Sequence, residues 1–272
     1  MEFINKSDSH NHSNCSFDGH NSILEICEKA KELNLLYITI TDHCECNQYN
    51  DPYHNYKTSS LKSYKELQTH QNLYSNLLIG IELGQAMQNL QAAEHALKRD
   101  YDFVLGSLHN LHGLDDFVFW SEVTGDCDKY LSAYLKQIKE MVQWGKFNAL
   151  SHLTYPIRYI RTQNGQMINF DNFHEEISEI FKMMIEKNIA LEINCADVRK
   201  KSKMLVPDLP LIKLYKSLGG KYITVGSDAH FAKDIGFGIE KAYEALLEAG
   251  FTQYTVFIKR KPIMIDIKRK DF

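Results

Sequence analysis

The sequence runs to 272 residues, of which 44% are hydrophobic, 11% aromatic and 24% charged. That is the balance of an ordinary folded domain, and it sets aside disordered, collagen-like and coiled-coil classes. With 35 acidic against 31 basic residues the net charge is -4, so no surface built chiefly for nucleic acid or an anionic membrane is expected, and an anionic ligand would be gripped locally.

Six cysteines (Cys15, Cys27, Cys44, Cys46, Cys127 and Cys195) show no CxxC pairing, and no apolar leader follows Met1. No apolar run approaches the roughly 20 residues that span a bilayer. The expectation is a cytoplasmic protein of one domain, residues 1–272, with no membrane partner. The sequons at Asn5, Asn11 and Asn14 carry no weight without a secretory signal.

In chain order, short β-branched or aromatic runs alternate with longer amphipathic stretches, the punctuation of repeated βα units. A weak apolar run just before His10 comes first, and a helix over 22–33 comes next. Strands are then predicted at 36–41, 77–81, 103–108, 147–150, 189–191 and 222–225. Helices are predicted over 60–77, 86–98, 130–144, 173–187, 209–218 and 239–249, with Gly219-Gly220 closing one of them as a C-terminal cap. Seven such units are too many for a small open sheet and suit an α/β fold whose parallel strands close, or nearly close, into a barrel. The long polar segments 45–59 and 112–128 are connections of the kind that overhang a barrel's site.

The residues just past each strand carry the chemistry. Asp42 and His43 come after the second run, Glu82 after the third, His109 after the fourth, His152 after the fifth, Glu192 after the sixth, and Asp228 and His230 after the seventh. Barrel sites are built from the C-terminal ends of strands, so these side chains are expected to converge. Imidazoles and carboxylates without thiolates suit zinc, iron or manganese, and they outnumber the three or four groups one ion takes. His10 and His12, two apart on an extended segment, point to one side as a chelating pair. Asp18 and His20 lie in the next polar loop, which can fold back over the same ion.

Together, Asp8-x-His10-x-His12, Thr41-Asp42-His43, Gly80-Ile81-Glu82, Gly106-Ser107-Leu108-His109, Ser151-His152 and Gly226-Ser227-Asp228-Ala229-His230 resemble the motif series of the polymerase and histidinol phosphatase (PHP) superfamily. Phe103–Ser107, Arg158-Tyr159-Ile160-Arg161 and Glu192-Ile193-Asn194 resemble its histidinol-phosphatase branch, and the resemblance covers almost the whole chain. It implies a distorted (β/α)7 TIM-like barrel with a trinuclear centre of divalent zinc, iron or manganese ions. One ion would take His10, His12, Glu82 and Asp228, a second Asp18, His43 and His230, and a third Glu82, His109 and His152. Spacing favours Asp18 at the loop position, with His20 its nearby competitor.

Arginine forks match phosphate oxygens, and Arg158, Arg161 and Arg199 each lie shortly after a strand end. The resemblance favours Arg199 with either Arg158 or Arg161 as phosphate clamps. His112, three residues beyond His109, is a candidate substrate contact, and residues 45–57 with Asp115-Asp116 are placed to meet a cationic leaving group. The implied activity is phosphomonoester hydrolysis, L-histidinol phosphate and water giving L-histidinol and phosphate in histidine biosynthesis. In that mechanism a water shared between ions attacks phosphorus in line while ions and arginines absorb charge. Asp228, His230 or a metal then serves the leaving alkoxide. The alternatives are a broad phosphoesterase or 3′ exonuclease, and a regulatory protein that binds metal without turnover.

Other features read as structural. Glu192, Asp8 and Asp42 are expected to hold neighbouring groups in place, and Cys15 and Cys44-x-Cys46 to be bystanders. Gly236-Phe237-Gly238 reads as a barrel loop, the basic runs 259–261 and 268–270 as a solvated end, and His54, His70, His95 and His174 as surface residues.

Overall fold

The computed structural model describes residues 2–114, 116–117, 127–164 and 170–270. Its elements begin with β1 (Phe3–Ile4), β2 (Ser7–Asp8), α1 (Ile23–Glu32), β3 (Tyr37–Ile40), β4 (His43–Glu45), α2 (Tyr56–Gln71) and β5 (Leu77–Gly84). The middle of the chain forms α3 (Leu90–Ala96), β6 (Phe103–Ser107), α4 (Cys127–Trp144), β7 (Ala149–Leu150), α5 (Tyr155–Asn164), α6 (His174–Glu186) and β8 (Ala190–Asn194). It ends with α7 (Leu209–Ser217), β9 (Ile223–Gly226), α8 (Ile239–Glu248), β10 (Gln253–Ile258), β11 (Lys261–Asp266) and β12 (Lys268–Arg269). Among the described residues, no helix is long and apolar enough to cross a membrane.

Seven parallel strands succeed one another in the order β2-β3-β5-β6-β7-β8-β9, and β4 pairs with the far half of β5. The circle nearly closes where the segment after β2 meets β9, with Ser9 N donating to Val225 O at 2.9 Å and Asp228 N to His10 O at 2.8 Å. This is the α/β, nearly closed parallel barrel that the alternation predicts. Helices cover its outer face, so β5 is buried at all eight positions. The helix α1 shows how the cover forms. Ser22 Oγ accepts from Glu25 N at 3.3 Å while the Glu25 carboxylate accepts from Ser22 N at 2.8 Å, and Ile23, Ile26, Cys27 and Ala30 then share the buried face.

Inside the barrel, side chains change character every second residue. Leu105, Ala149 and Ala190 lie in register on adjacent strands and pack with Phe103 and Phe257 into an apolar floor. Two residues on, the same chain segments present Ser107, Ser151 and Glu192, and the interior becomes polar. Phe257 belongs to the antiparallel hairpin β10–β11, and its ring stacks on Phe103 at 5.5 Å.

The structure differs from the predicted elements where local signals mislead. The hairpin is not predicted, because its turn is Lys259-Arg260 at φ 50° and 65°, where Asn or Gly is usual. The run 268–270 is exposed, as a solvated end should be, although the backbone of Lys268 and Arg269 pairs with Ile4 and Phe3. Helix α5 is not among the predicted elements; Pro156 lies in its first turn, where proline is tolerated. Asn55 starts α2 four residues early by accepting from Thr58 N at 3.2 Å, and Asn89 starts α3 late by accepting from Ala92 N at 3.1 Å.

Candidate metal centre

The extended segment 9–12 is held on both sides, by β9 as above and by Thr41 N donating to Asn11 O at 2.8 Å. Alternation turns His10 and His12 inward and Asn11 away, where it donates to Thr39 O at 3.2 Å and accepts from Ser227 Oγ at 3.1 Å. Asp8 ties the segment to the far end of the chain, accepting from Ser227 N and Gly236 N at 2.8 Å each. Asp42 folds the next loop, accepting from Ser13 N at 2.6 Å, Ser13 Oγ at 2.7 Å, Ser16 Oγ at 3.0 Å and Ser63 Oγ at 2.5 Å. The loop thereby returns Asp18 over the cluster, while His20 turns out and stacks on Phe231 at 4.0 Å. Of the two competitors, Asp18 faces the site.

The nine side chains expected as ligands come together in three overlapping groups. His10 Nε2 lies 3.1 Å from His12 Nε2, 3.4 Å from Glu82 Oε2 and 3.7 Å from Asp228 Oδ1, and His12 Nε2 lies 3.6 and 3.4 Å from the same two oxygens. Asp18 Oδ2 stands 3.6 Å from His43 Nε2 and 3.0 Å from His230 Nε2. Glu82 Oε1, His109 Nε2 and His152 Nε2 form a triangle with sides of 3.2, 3.1 and 3.2 Å. Atoms bound at about 2.0–2.1 Å to one tetrahedral ion stand about 3.3 Å apart, so the separations suit shared cations. Asp18 Oδ1 and Glu82 Oε2 are buried with no hydrogen-bond partner among the described residues, acceptors that a cation would satisfy. The donor set fits.

Backbone features bring Asp228 to this place. A Cβ on Gly226 would fall 2.3 Å from His10 Cβ, so the close approach of β9 requires glycine. Asp228 itself sits at φ 53°, the left-handed region, where a non-glycine residue stores strain. Arg199 braces it, donating from Nη1 to Ser227 O and from Nη2 to Asp228 O at 2.9 Å each.

Burial works against charge throughout the cluster, and opposite charges overcome it at most positions. Against burial, Glu192, Glu82 and Asp228 hold His10 well above the usual imidazole range; Glu82 and Asp18 do so for His43, and Glu45 and Glu82 for His109. In return Glu82 and Asp228 lie well below the carboxylate range. Burial, then His230 and His43, push His12 down to about 3, its ring stacked between theirs at 4.3 Å from each.

Glu192 holds His10, its Oε1 2.6 Å from Nδ1, and accepts from His152 N at 2.8 Å, as expected of a residue that fixes a neighbour. From the sequence, Glu45 stands only at the head of the 45–57 connection, its contact with the rings unforeseen. It lies two residues beyond His43 on β4 and therefore on the same face, the one local signal that marks it. Its Oε1 stands 2.9 Å from His109 Nδ1 and 3.2 Å from His43 Nδ1.

The cage opens into a cleft of about 560 Å³. Arg158, buried, reaches Asp197 Oδ1 through Nε at 2.7 Å, and Lys200 reaches the same oxygen at 3.3 Å, so one carboxylate gathers two cations beside the cage. Lys200 and Asp197 were not foreseen; their sequence signal is only their adjacency to Arg199. The Arg161 side chain and Asp115 lie outside the described residues. His112 is exposed and absent from the cleft wall, whereas His54, expected on the surface alone, lines the mouth. There Phe17, 59% exposed, stands 5.5 Å from His54 and 6.3 Å from Tyr56. Cys44 and Cys46 are buried, and Cys46 Sγ donates to Cys44 O at 3.8 Å.

A family model for the PHP domain matches residues 8–196. The chain is 28% identical to a Thermotoga maritima protein named "Probable histidinol-phosphatase", over 96% of this chain and 99% of that one. It is 27% identical to the histidinol-phosphatase of Lactococcus lactis subsp. lactis, over 93% and 95%. The solved structure of histidinol phosphate phosphatase from Lactococcus lactis subsp. lactis, complexed with zinc, L-histidinol and phosphate, is similar with a TM-score of 0.80 at 25% identity, covering 95% of this chain and 99% of that one. The chain belongs to the PHP domain family.

Proposed function

We propose that the chain is a metal-dependent phosphomonoester hydrolase that converts L-histidinol phosphate and water to L-histidinol and phosphate, a step of histidine biosynthesis. One observation carries the reading: a cage of imidazoles and carboxylates shares its cleft with Arg158, Arg199 and Lys200. The similarity to a phosphatase solved with zinc, L-histidinol and phosphate supports the substrate. The barrel over 1–272 would act as one domain, and six buried free cysteines suit the reducing cytoplasm.

His10, His12, Glu82 and Asp228 would hold one divalent ion, Asp18, His43 and His230 a second, and Glu82, His109 and His152 a third. Zinc, iron and manganese suit these donors. When bound, such ions supply a water that ionises near neutral pH and positive charge for the phosphoryl oxygens. Asp197 keeps Arg158 and Lys200 beside the cage, Arg199 adds a third cation, and Arg161 stands as the alternative to Arg158. These cations gain strength as charge builds on the phosphoryl oxygens in the transition state. Asp228 or His230, both in the cleft wall, would relay to the leaving alkoxide the proton given up by the attacking water. At the mouth, Phe17, His54 and Tyr56 offer flat faces to an imidazole ring, and Asp116 offers negative charge to an amine.

The test is steady-state phosphate release from L-histidinol phosphate beside 4-nitrophenyl phosphate and a short oligonucleotide. The expected kcat/KM favours L-histidinol phosphate by about 100-fold or more. Comparable turnover of the other two would move the chain to the broad phosphoesterase or 3′ exonuclease reading.

A further inference from the structure

One carboxylate oxygen touches two rings that belong to different ligand groups. Glu45 Oε1 accepts from His109 Nδ1 at 2.9 Å and stands 3.2 Å from His43 Nδ1. An ionised carboxylate only accepts, so it places the proton of His109 on Nδ1 and leaves Nε2 as the donor atom toward Glu82 and His152. His43 Nδ1 faces two carboxylates, Glu45 Oε1 at 3.2 Å and Glu82 Oε2 at 3.0 Å, while its Nε2 lies 3.6 Å from Asp18 Oδ2.

This contact is built into the sheet. Glu45 lies opposite Gly84 in the β4–β5 register, and a Cβ on Gly84 would fall 2.0 Å from Glu45 Oε2. The carboxylate is buried, and Oε2 has no hydrogen-bond partner among the described residues. Burying it therefore costs stability that its ring contacts must offset. The group at His10 and His12 has a different anchor, because Glu192 grips His10 Nδ1.

We propose that Glu45 is a positioning residue that couples two of the three cation positions, those of His43 and of His109, so that they fill and empty together. The position at His10 and His12 depends on Glu192 instead. This inference rests on the cage being a metal centre.

The test counts zinc retained per folded chain after a fixed chelator challenge of the zinc-loaded full chain, with folding checked by circular dichroism. Wild type is expected to keep three ions and Glu45→Gln one, the other two leaving together about 10- to 100-fold faster. Glu192→Gln is expected to lose the ion at His10 first and keep two. Gly84→Ala, which retains the glutamate but crowds its carboxylate, is expected to repeat the Glu45→Gln pattern, so a misfolded single variant does not decide the matter. A Glu45→Gln chain that keeps the wild-type count, or sheds one ion only, overturns the coupling and leaves the metal centre standing. A wild-type chain that keeps no zinc overturns both.

Discussion

At the lower end of the barrel, Leu105, Ala149, Ala190, Phe103 and Phe257 pack into an apolar cluster. Two residues further along the same strands, Ser107, Ser151 and Glu192 face the cage, where rings and carboxylates lie within about one ligand–ligand separation of each other. One period of a strand thus separates a region that supplies stability from one that spends it, since buried charges are costly unless paired. Substitutions at the two ends should therefore separate activity from stability.

The largest effect is expected at the cage. Glu82→Gln, which removes the carboxylate shared by two ligand groups, should lower kcat/KM at least about 1,000-fold, a little over 4 kcal/mol. Its chain should stay folded by circular dichroism. At the floor the pattern reverses: Phe257→Ala should cost about 3–5 kcal/mol in denaturant unfolding while the folded fraction keeps its kcat. An inactive, fully stable Phe257→Ala chain would erase the distinction.

Between these lies the cation wall. Arg158→Ala should lower kcat/KM about 100-fold, near 2.7 kcal/mol, without changing the zinc count. Loss of zinc in that variant would place Arg158 with the cage.

The smallest effect is a dependence on pH that belongs to the upper end alone. In a stripped chain, His10, His43 and His109 have values raised above 6.5, so their ion pairs stabilise the fold below about pH 6.5 and weaken as pH rises through the raised values. Against burial, His109 holds Glu45 at about 2, so its contribution is present above the usual 4.5 and is lost as pH falls through 2. The stripped chain's Tm should fall at both extremes, and zinc, competing with the same protons, should bind more tightly as pH rises. Melting curves across pH with and without zinc check this; equal zinc affinity at all pH values would oppose it.

The strand-end residues were legible because each stands just past an apolar run, and a parallel barrel aligns such ends whatever their distance in sequence. His10 and His12 were legible from alternation alone. Spacing already favoured Asp18 over His20, but the reason the loop returns Asp18 was not legible, since Asp42 accepts from Ser13, Ser16 and Ser63, contacts far apart in the chain. Glu45 hid in a three-residue strand too short to show a period, within a segment that reads as polar connection. The hairpin that carries Phe257 hid behind a Lys-Arg turn, and the partnership of Arg158, Lys200 and Asp197 arises only when two successive strand-end loops meet.

The most direct measurement is phosphate release from L-histidinol phosphate by the full chain with its zinc counted, first as loaded, then stripped by chelator, then with zinc returned. Turnover is expected to disappear with the ions and to return with them, full activity coinciding with about three per chain. Undiminished turnover by a chain stripped of every ion would contradict the assignment of the cage as the catalytic centre.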